Sequence, residues 1–233
     1  MRINKFLSRA GVCSRRAADD IISKGQVKID GRIATLGDEV TEDSHVTVKG
    51  RPVDTSLAVS ERVILIYNKP AGLICSASDR DGETIFDNID YPKRLFCAGR
   101  LDKDSRGILI LTNDGDLAEK LMRPRHGHER EYQVLCEKAV TDEMIEAFRK
   151  GVYLHELDVK TRPCKVYRTG DKSFTIILTQ GLNRQIRRMC REFGVPIRDL
   201  CRVRIENLLL GRLKEGTYRK LRKEERDELL ASL

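Results

Sequence analysis

Tryptophan is absent, and Phe, Trp and Tyr together make up 5% of the 233 residues. A core with so few rings has to be built mainly from aliphatic side chains. The seven cysteines (13, 75, 97, 136, 164, 190 and 201) include no CxxC pair and no two within five residues. That spacing excludes a zinc site of the usual kind, and no metal is expected. The scattered, odd count and the lack of a signal-like segment predict a reducing, cytoplasmic setting with the thiols acting as small buried hydrophobes. No apolar run reaches the roughly 18 residues that a membrane helix needs. Low-complexity tracts and obvious internal repeats are missing too.

Cations are what the chain has in excess. Lys plus Arg number 44 against 36 acids, a net charge of +8. Their distribution says more than their total. Residues 1–18 hold five cations (Arg2, Lys5, Arg9, Arg15, Arg16) and no acid, and residues 184–204 hold seven arginines and two acids. Two basic blocks in one chain read as a phosphate-binding track.

The chain divides near residue 55. Ile3, Phe6, Leu7 and Ala10 are spaced as one face of a short helix, which Gly11 ends. Ser14 is placed to cap a second helix through Ala17, Ala18, Ile21 and Ile22, stopped at Gly25. Strands at VKID and HVTVKG follow, separated by a Gly31 turn. Residues 54–61, with DTSLAVS, read as a linker. From 62 onward strands and helices are interspersed. Strands are expected at VILIYNK, LFCAGR, GILILT, REYQVLC, VKTRPCKVYR and SFTIILT. Helices are expected after Asp114, after a Thr141 cap, after an Asn183 cap and over KEERDELLASL. The fold class is therefore α+β, a large mainly antiparallel sheet preceded by a small α/β domain.

The most informative stretch is GRLDKDSRGILILTNDG (99–115), a charged loop set against an apolar strand. An ionised carboxylate at the root of a strand, here Asp102, is a usable nucleophile or general base. A solvated turn is the plain alternative. A calcium loop, suggested by DKDSRG, fails because Arg106 and Asn113 stand where ligands belong. A second distinctive stretch is LTQGLNRQIRRMCREFG (178–194). Its arginines 184, 187, 188 and 191 fall on one helical face, opposite Ile186, Met189, Cys190 and Phe193. Four like charges on one face call for anions to answer them.

These stretches, with YNKPAGLICS (67–76) and HEREYQV (128–134), resemble the RNA pseudouridine synthases, in particular the RsuA-like family. The segment CKV (164–166) together with the two motifs looks most like the RluF branch, whose members modify large-subunit ribosomal RNA. The small-subunit branch is the sibling alternative. Residues 2–49 resemble the S-four-type RNA-binding domain named after a ribosomal protein. The resemblance implies an RNA-binding domain at 1–53 and a catalytic domain at 62–233. It implies Asp102 as the catalytic carboxylate, Tyr132 as the residue stacking on the target base, and Arg187 as the partner of Asp102. It places Leu178 under the base, and it leaves Arg130, where the family usually has Lys, without an assigned role. Arg100, Arg184, Arg188 and Arg191 are candidate substrate contacts; Arg2, Lys5, Arg9, Arg15 and Arg16 are candidate RNA-phosphate contacts. His126 and His128 are read as phosphate-side or structural. The reaction re-joins uracil to ribose through carbon 5, so no cofactor or metal is expected. The expected partner is a ribosomal RNA stem-loop bound by a monomer, with the uridine flipped out. A non-catalytic ribosome-assembly factor on the same fold is the competing reading, and a DNA-binding regulator is a third. The sequence leaves the uridine, the form of the substrate, a second RNA target and the choice between acylal and glycal routes open.

Overall fold

A computed structural model describes residues 1–54, 62–76, 82–122 and 127–232. Most of the expected linker, and His126, lie outside the described residues. The chain forms two compact units. One comprises 1–63 with 91–95 and 113–115, and the other comprises the rest.

In the first unit, helix α1 (Ile3–Arg9) buries Ile3, Phe6 and Leu7. The chain leaves it through Gly11 at φ 78°. The Ser14 hydroxyl accepts the Ala17 N–H at 3.1 Å and starts α2 (Arg15–Ser23). Ala18 and Ile22 form its buried stripe, while Ala17, expected on that face, is exposed. Strands β1 (Val27–Ile29), β2 (Arg32–Ile33), β3 (Val46–Val48) and β4 (Arg51–Pro52) make an antiparallel sheet in the order β2-β1-β3-β4. The two helices and this sheet share one core, from Ile3 and Leu7 to Val27 and Val46. Strand β4 has no hydrophobic pattern to announce it, and its proline suits an edge position.

The second unit follows in chain order. It runs β5 (Ile64–Lys69), β6 (Phe96–Ala98), β7 (Arg106–Thr112), α3 (Gly115–Met122), β8 (Arg130–Cys136) and α4 (Asp142–Lys150). Then come β9 (Tyr153–Leu154), β10 (Val159–Lys160), β11 (Lys165–Gly170), β12 (Ser173–Leu178) and α5 (Gln185–Glu192). Strands β13 (Ile197–Ile205), β14 (Leu208–Leu209), β15 (Tyr218–Lys220) and helix α6 (Lys223–Ala231) complete it. Among the described residues the main sheet runs β11-β12-β8-β13-β7-β5-β15, with β14 on β13 and β6 on β7. Its pairs are antiparallel except β13 with β7. The sheet is α+β as expected. VKTRPCKVYR is two strands rather than one, because Pro163 has no N–H to give a ladder. The first piece, β10, pairs with β9 in a separate ribbon.

Two cores cover this sheet. One packs α4 and α5 on β8, β11 and β12 through Met144, Ile145, Phe148, Phe174, Ile176 and Met189. The other packs α3 and α6 on β5 and β7 through Ile66, Ile108, Ile110, Leu117, Leu121 and Leu229. Among the described residues only the first contains rings. Phe148 meets Phe174 and Phe193 edge to face, each at 5.7 Å.

Helix α6 is fastened by Glu225. Its carboxylate accepts the Arg222 N–H at 2.9 Å and both Arg219 nitrogens at 2.7 and 2.8 Å. The Arg219 hydrogen bonds hold Glu225 down at about 2, against the opposing effect of burial. A carboxylate depressed in the folded state contributes stability above its unfolded value near 4.5, lost as pH falls through 2. Arg222 is three-quarters exposed (75%), which weakens its share. Glu225→Gln should therefore cost about 2 kcal/mol at pH 7, and the gap from wild type should close between pH 4.5 and 2. Melting curves of both proteins across that range check it; a pH-independent gap would contradict the assigned ion pair.

Candidate active site

Asp102 lies in the loop between β6 and β7, and its side chain is about one-third exposed (31%). The loop is tied from below by buried donors. Lys69, at the end of β5, is fully buried (0%). Its ammonium donates to the carbonyls of Ser105 at 2.7 Å, Pro70 at 3.0 Å and Lys103 at 3.3 Å. Burial pulls the Lys69 ammonium below the usual lysine range, and Cys75, Asp104 and Asp102 pull it back. The Gly72 N–H adds a bond to Lys103 O at 2.7 Å. The NKPAG turn thus serves as the floor of the Asp102 loop.

On the other side, Leu101 N–H donates to Cys75 Sγ at 3.4 Å. The Cys97 thiol also donates to Cys75 and, against burial, holds it below the usual thiol range. Arg202, buried on β13, donates from Nε to Ile108 O at 2.8 Å and from Nη1 to Arg100 O at 3.5 Å. Gly107 lets β13 come this close. A Cβ there would stand 2.2 Å from Arg202 O, and φ is 107°. Arg202 pairs in register with Gly107 on one side and with Tyr132 on the other. Tyr132, half-buried, therefore lies two strands from the root of the Asp102 loop, roughly 10 Å by strand spacing. Leu178, the last residue of β12, is buried at 4% in the same core against which Tyr132 packs.

Helix α5 supplies the arginines, and here the structure corrects two expectations. Asn183 does not cap the helix. Arg184 is the residue at its start, in the left-handed region at φ 51°, while Asn183 accepts hydrogen bonds from Arg188. Arg187 does not pair with Asp102. Its Nη2 donates to Asp104 O at 2.8 Å and Ser105 Oγ at 3.1 Å, and its Nε is 3.3 Å from the Asp104 carboxylate. The cation facing Asp102 is Arg184, at 3.7 Å, and Arg184 also grips Asp104 with two bonds at 3.1 and 2.9 Å. Asp104 lies two residues nearer than Asp102 to the start of β7. Burial works to raise Asp104, but the Arg184 bonds and the Arg187 charge prevail and hold it below the usual carboxylate range.

The other two arginines of the face, Arg188 and Arg191, both pair with Glu156 in the 3-10 turn between β9 and β10. Four like charges are thus answered by three carboxylates, and of these neither Asp104 nor Glu156 was expected to do this. Asp104 is adjacent in the motif and could have been found; nothing in the local sequence marks Glu156. Lys69 stood at the end of the expected strand VILIYNK, in a motif to which no site residue was assigned. Arg100 is exposed at the loop's entrance. Arg130 is on β8, where burial lowers its guanidinium and Leu121 O accepts from it at 3.3 Å. His128 is buried, with Nδ1 3.2 Å from Glu206. In the first unit Arg2, Arg15 and Arg16 are exposed, and Lys5 and Arg9 are partly so.

This geometry offers a partly exposed carboxylate, Asp102, on a hydrogen-bonded floor and faced by a guanidinium group. It suits addition to, or proton removal from, a sugar held by its phosphates. The family model for RNA pseudouridylate synthases matches residues 63–192, and that for the S4 domain matches residues 1–46. The dual-specificity RNA pseudouridine synthase RluF of Shigella flexneri is 42% identical over 97% of this chain and 77% of its own length. The ribosomal large subunit pseudouridine synthase B of Haemophilus influenzae is 36% identical, over 90% of this chain and 61% of that protein. A crystal structure of a pseudouridylate synthase superposes with a TM-score of 0.72 at 29% identity, covering 98% of this chain and 99% of that one. Fold and site together define an RNA-modifying isomerase carrying an S4 domain. The chain belongs to the RNA pseudouridine synthases, within their RsuA-like family.

Proposed function

We propose that this enzyme isomerises one uridine, or a small set, in a stem-loop of large-subunit ribosomal RNA. The observation that carries this reading is the Asp102 loop, braced by Lys69 and Arg202 beneath and faced by the arginine helix. Asp102 acts on the sugar, either by adding to the anomeric carbon or by taking the 2-prime proton. Tyr132 stacks on the flipped base, with Leu178 beneath it. Arg187 steadies the Asp102 loop through Asp104 and Ser105. Arg100, Arg184, Arg188 and Arg191 take flanking phosphates. The 1–53 domain adds sequence-independent contacts through Arg2, Lys5, Arg9, Arg15 and Arg16, and 62–233 forms the catalytic domain. The enzyme works as a monomer in the cytoplasm. Among the described residues no helix is long and apolar enough to cross a membrane.

The large-subunit assignment rests on the RluF and large-subunit relatives. The reading of a non-catalytic assembly factor is disfavoured by the intact set of Asp102, Tyr132 and Arg187. The test is to incubate the purified protein with unmodified large- and small-subunit ribosomal RNA and map pseudouridine by carbodiimide adducts. New pseudouridine in a large-subunit stem-loop is the expected result. Modification confined to the small-subunit RNA would move the enzyme to the sibling branch, and none in either RNA would overturn the reading.

A further inference from the structure

Arg184 and Arg187, the two arginines that meet the Asp102 loop, are both anchored on a different carboxylate. Arg184 makes two hydrogen bonds to Asp104, at 3.1 and 2.9 Å, and is only a 3.7 Å neighbour of Asp102. Arg187 reaches the backbone oxygen of Asp104 at 2.8 Å and its carboxylate at 3.3 Å. Two features show an arrangement that is not at its own optimum. Arg184 holds a left-handed backbone conformation (φ 51°, ψ 34°) at the start of α5, which a non-glycine residue adopts at a cost. The Nε of Arg187, in a side chain only 13% exposed, is buried without a hydrogen bond, since its approach to Asp104 is misaligned. A donor so placed gains when a better acceptor arrives. Asp104 itself is half-exposed (48%) and so is much of the Arg184 side chain (38%), so a solute can reach that guanidinium without unfolding anything.

We infer that Asp104 is a positioning residue, a resting counterion that holds Arg184 and Arg187 beside Asp102 until an RNA phosphate takes its place. This rests on the proposed reading of the site as one that binds RNA. A phosphodiester presents two anionic oxygens, as a carboxylate does, and suits the same guanidinium forks. In the RNA-free protein Asp104 prevents two cations, held a few ångströms apart, from repelling one another. When RNA binds, its carboxylate has to be displaced, and it remains near the incoming phosphate as a like charge. Asp104 therefore weakens RNA binding, while its backbone oxygen and Ser105 keep their hold on Arg187.

The experiment compares wild type, Asp104→Asn and Asp104→Glu for dissociation constant, KM and kcat on one ribosomal RNA fragment. A partly exposed ion pair corresponds to a few-fold change in an equilibrium constant. The Asn variant should bind RNA about two- to fivefold more tightly and show KM lowered to match. Its kcat should fall by no more than about tenfold, since Arg187 keeps its hydrogen bonds to the backbone oxygen of residue 104 and to Ser105. The Glu variant keeps the charge and should restore wild-type affinity. Equal or weaker binding by the Asn variant would overturn the proposal. So would a kcat lowered more than about tenfold with unchanged affinity, because Asp104 would then belong to the reacting arrangement. Thermal melts show that each variant is folded. The binding arm decides the role of Asp104 even if wild type forms no pseudouridine, an outcome that would count against the enzymatic reading alone.

Discussion

Asp102→Asn should lower pseudouridine formation by roughly 10⁴-fold or more, equivalent to about 5.5 kcal/mol in the barrier. The amide has nearly the volume of the carboxylate and keeps one acceptor oxygen. It can neither add to an anomeric carbon nor take up a proton at neutral pH, so both routes open to the carboxylate close together. Affinity should change little. Arg184, the cation facing Asp102, is held chiefly by its two bonds to Asp104. The floor beneath Asp102 is made of contacts to backbone atoms of Leu101, Lys103 and Ser105, which the substitution leaves in place. RNA affinity within a few-fold of wild type, with product absent in single-turnover assays, is the expected pair of results. Appreciable product from the purified variant would move the catalytic role to another residue, and Asp104, two positions along, is the nearest other carboxylate in the loop.

Much of this site was legible in the amino-acid order, and the reason is local. A loop bounded by Gly99 and Gly107 and followed by an unbroken apolar run can be read from spacing alone. So can a helix with arginines on one face and Ile186, Met189 and Cys190 on the other. What could not be read was pairing between segments distant in the chain. Arg187 meets Asp104 across some eighty residues, and Arg188 and Arg191 meet Glu156 through a turn without a motif. Periodicity says which face an arginine occupies but not which carboxylate it reaches, because that depends on how α5 is registered over the loop. Asn183 failed as a cap for a related reason: its side chain is engaged by Arg188, and the chain enters the helix through a left-handed Arg184. The split of VKTRPCKVYR was open to view in Pro163. The NKPAG turn was visible, but the burial of its lysine was not, since lysine is among the residues least often fully buried.

That lysine carries the second large expectation. Lys69→Met should keep the volume of the side chain and remove all of its donors. Pro70 O and Ser105 O would then lose the ammonium that reaches them at 3.0 and 2.7 Å, while Lys103 O keeps the Gly72 N–H at 2.7 Å. A buried acceptor left unpaired costs about 1–3 kcal/mol, and two of them outweigh the relief of no longer burying an ammonium group. A net loss of about 2–4 kcal/mol is expected, lowering the melting temperature by roughly 5–15 °C. Turnover should fall further than stability alone explains. Two of the three carbonyls that Lys69 holds belong to the residues on either side of Asp104 and set the height of the loop that carries Asp102. A displacement of about 1 Å at a reacting group costs on the order of 100-fold in rate. RNA affinity should be almost unchanged, because Lys69 is fully buried and cannot meet a phosphate. The signature is thus a kcat near one-hundredth of wild type, with dissociation constant and KM little altered, measured well below the melting temperature. A destabilised variant with wild-type kcat would show that Lys69 holds the fold and that the loop finds its catalytic position without it.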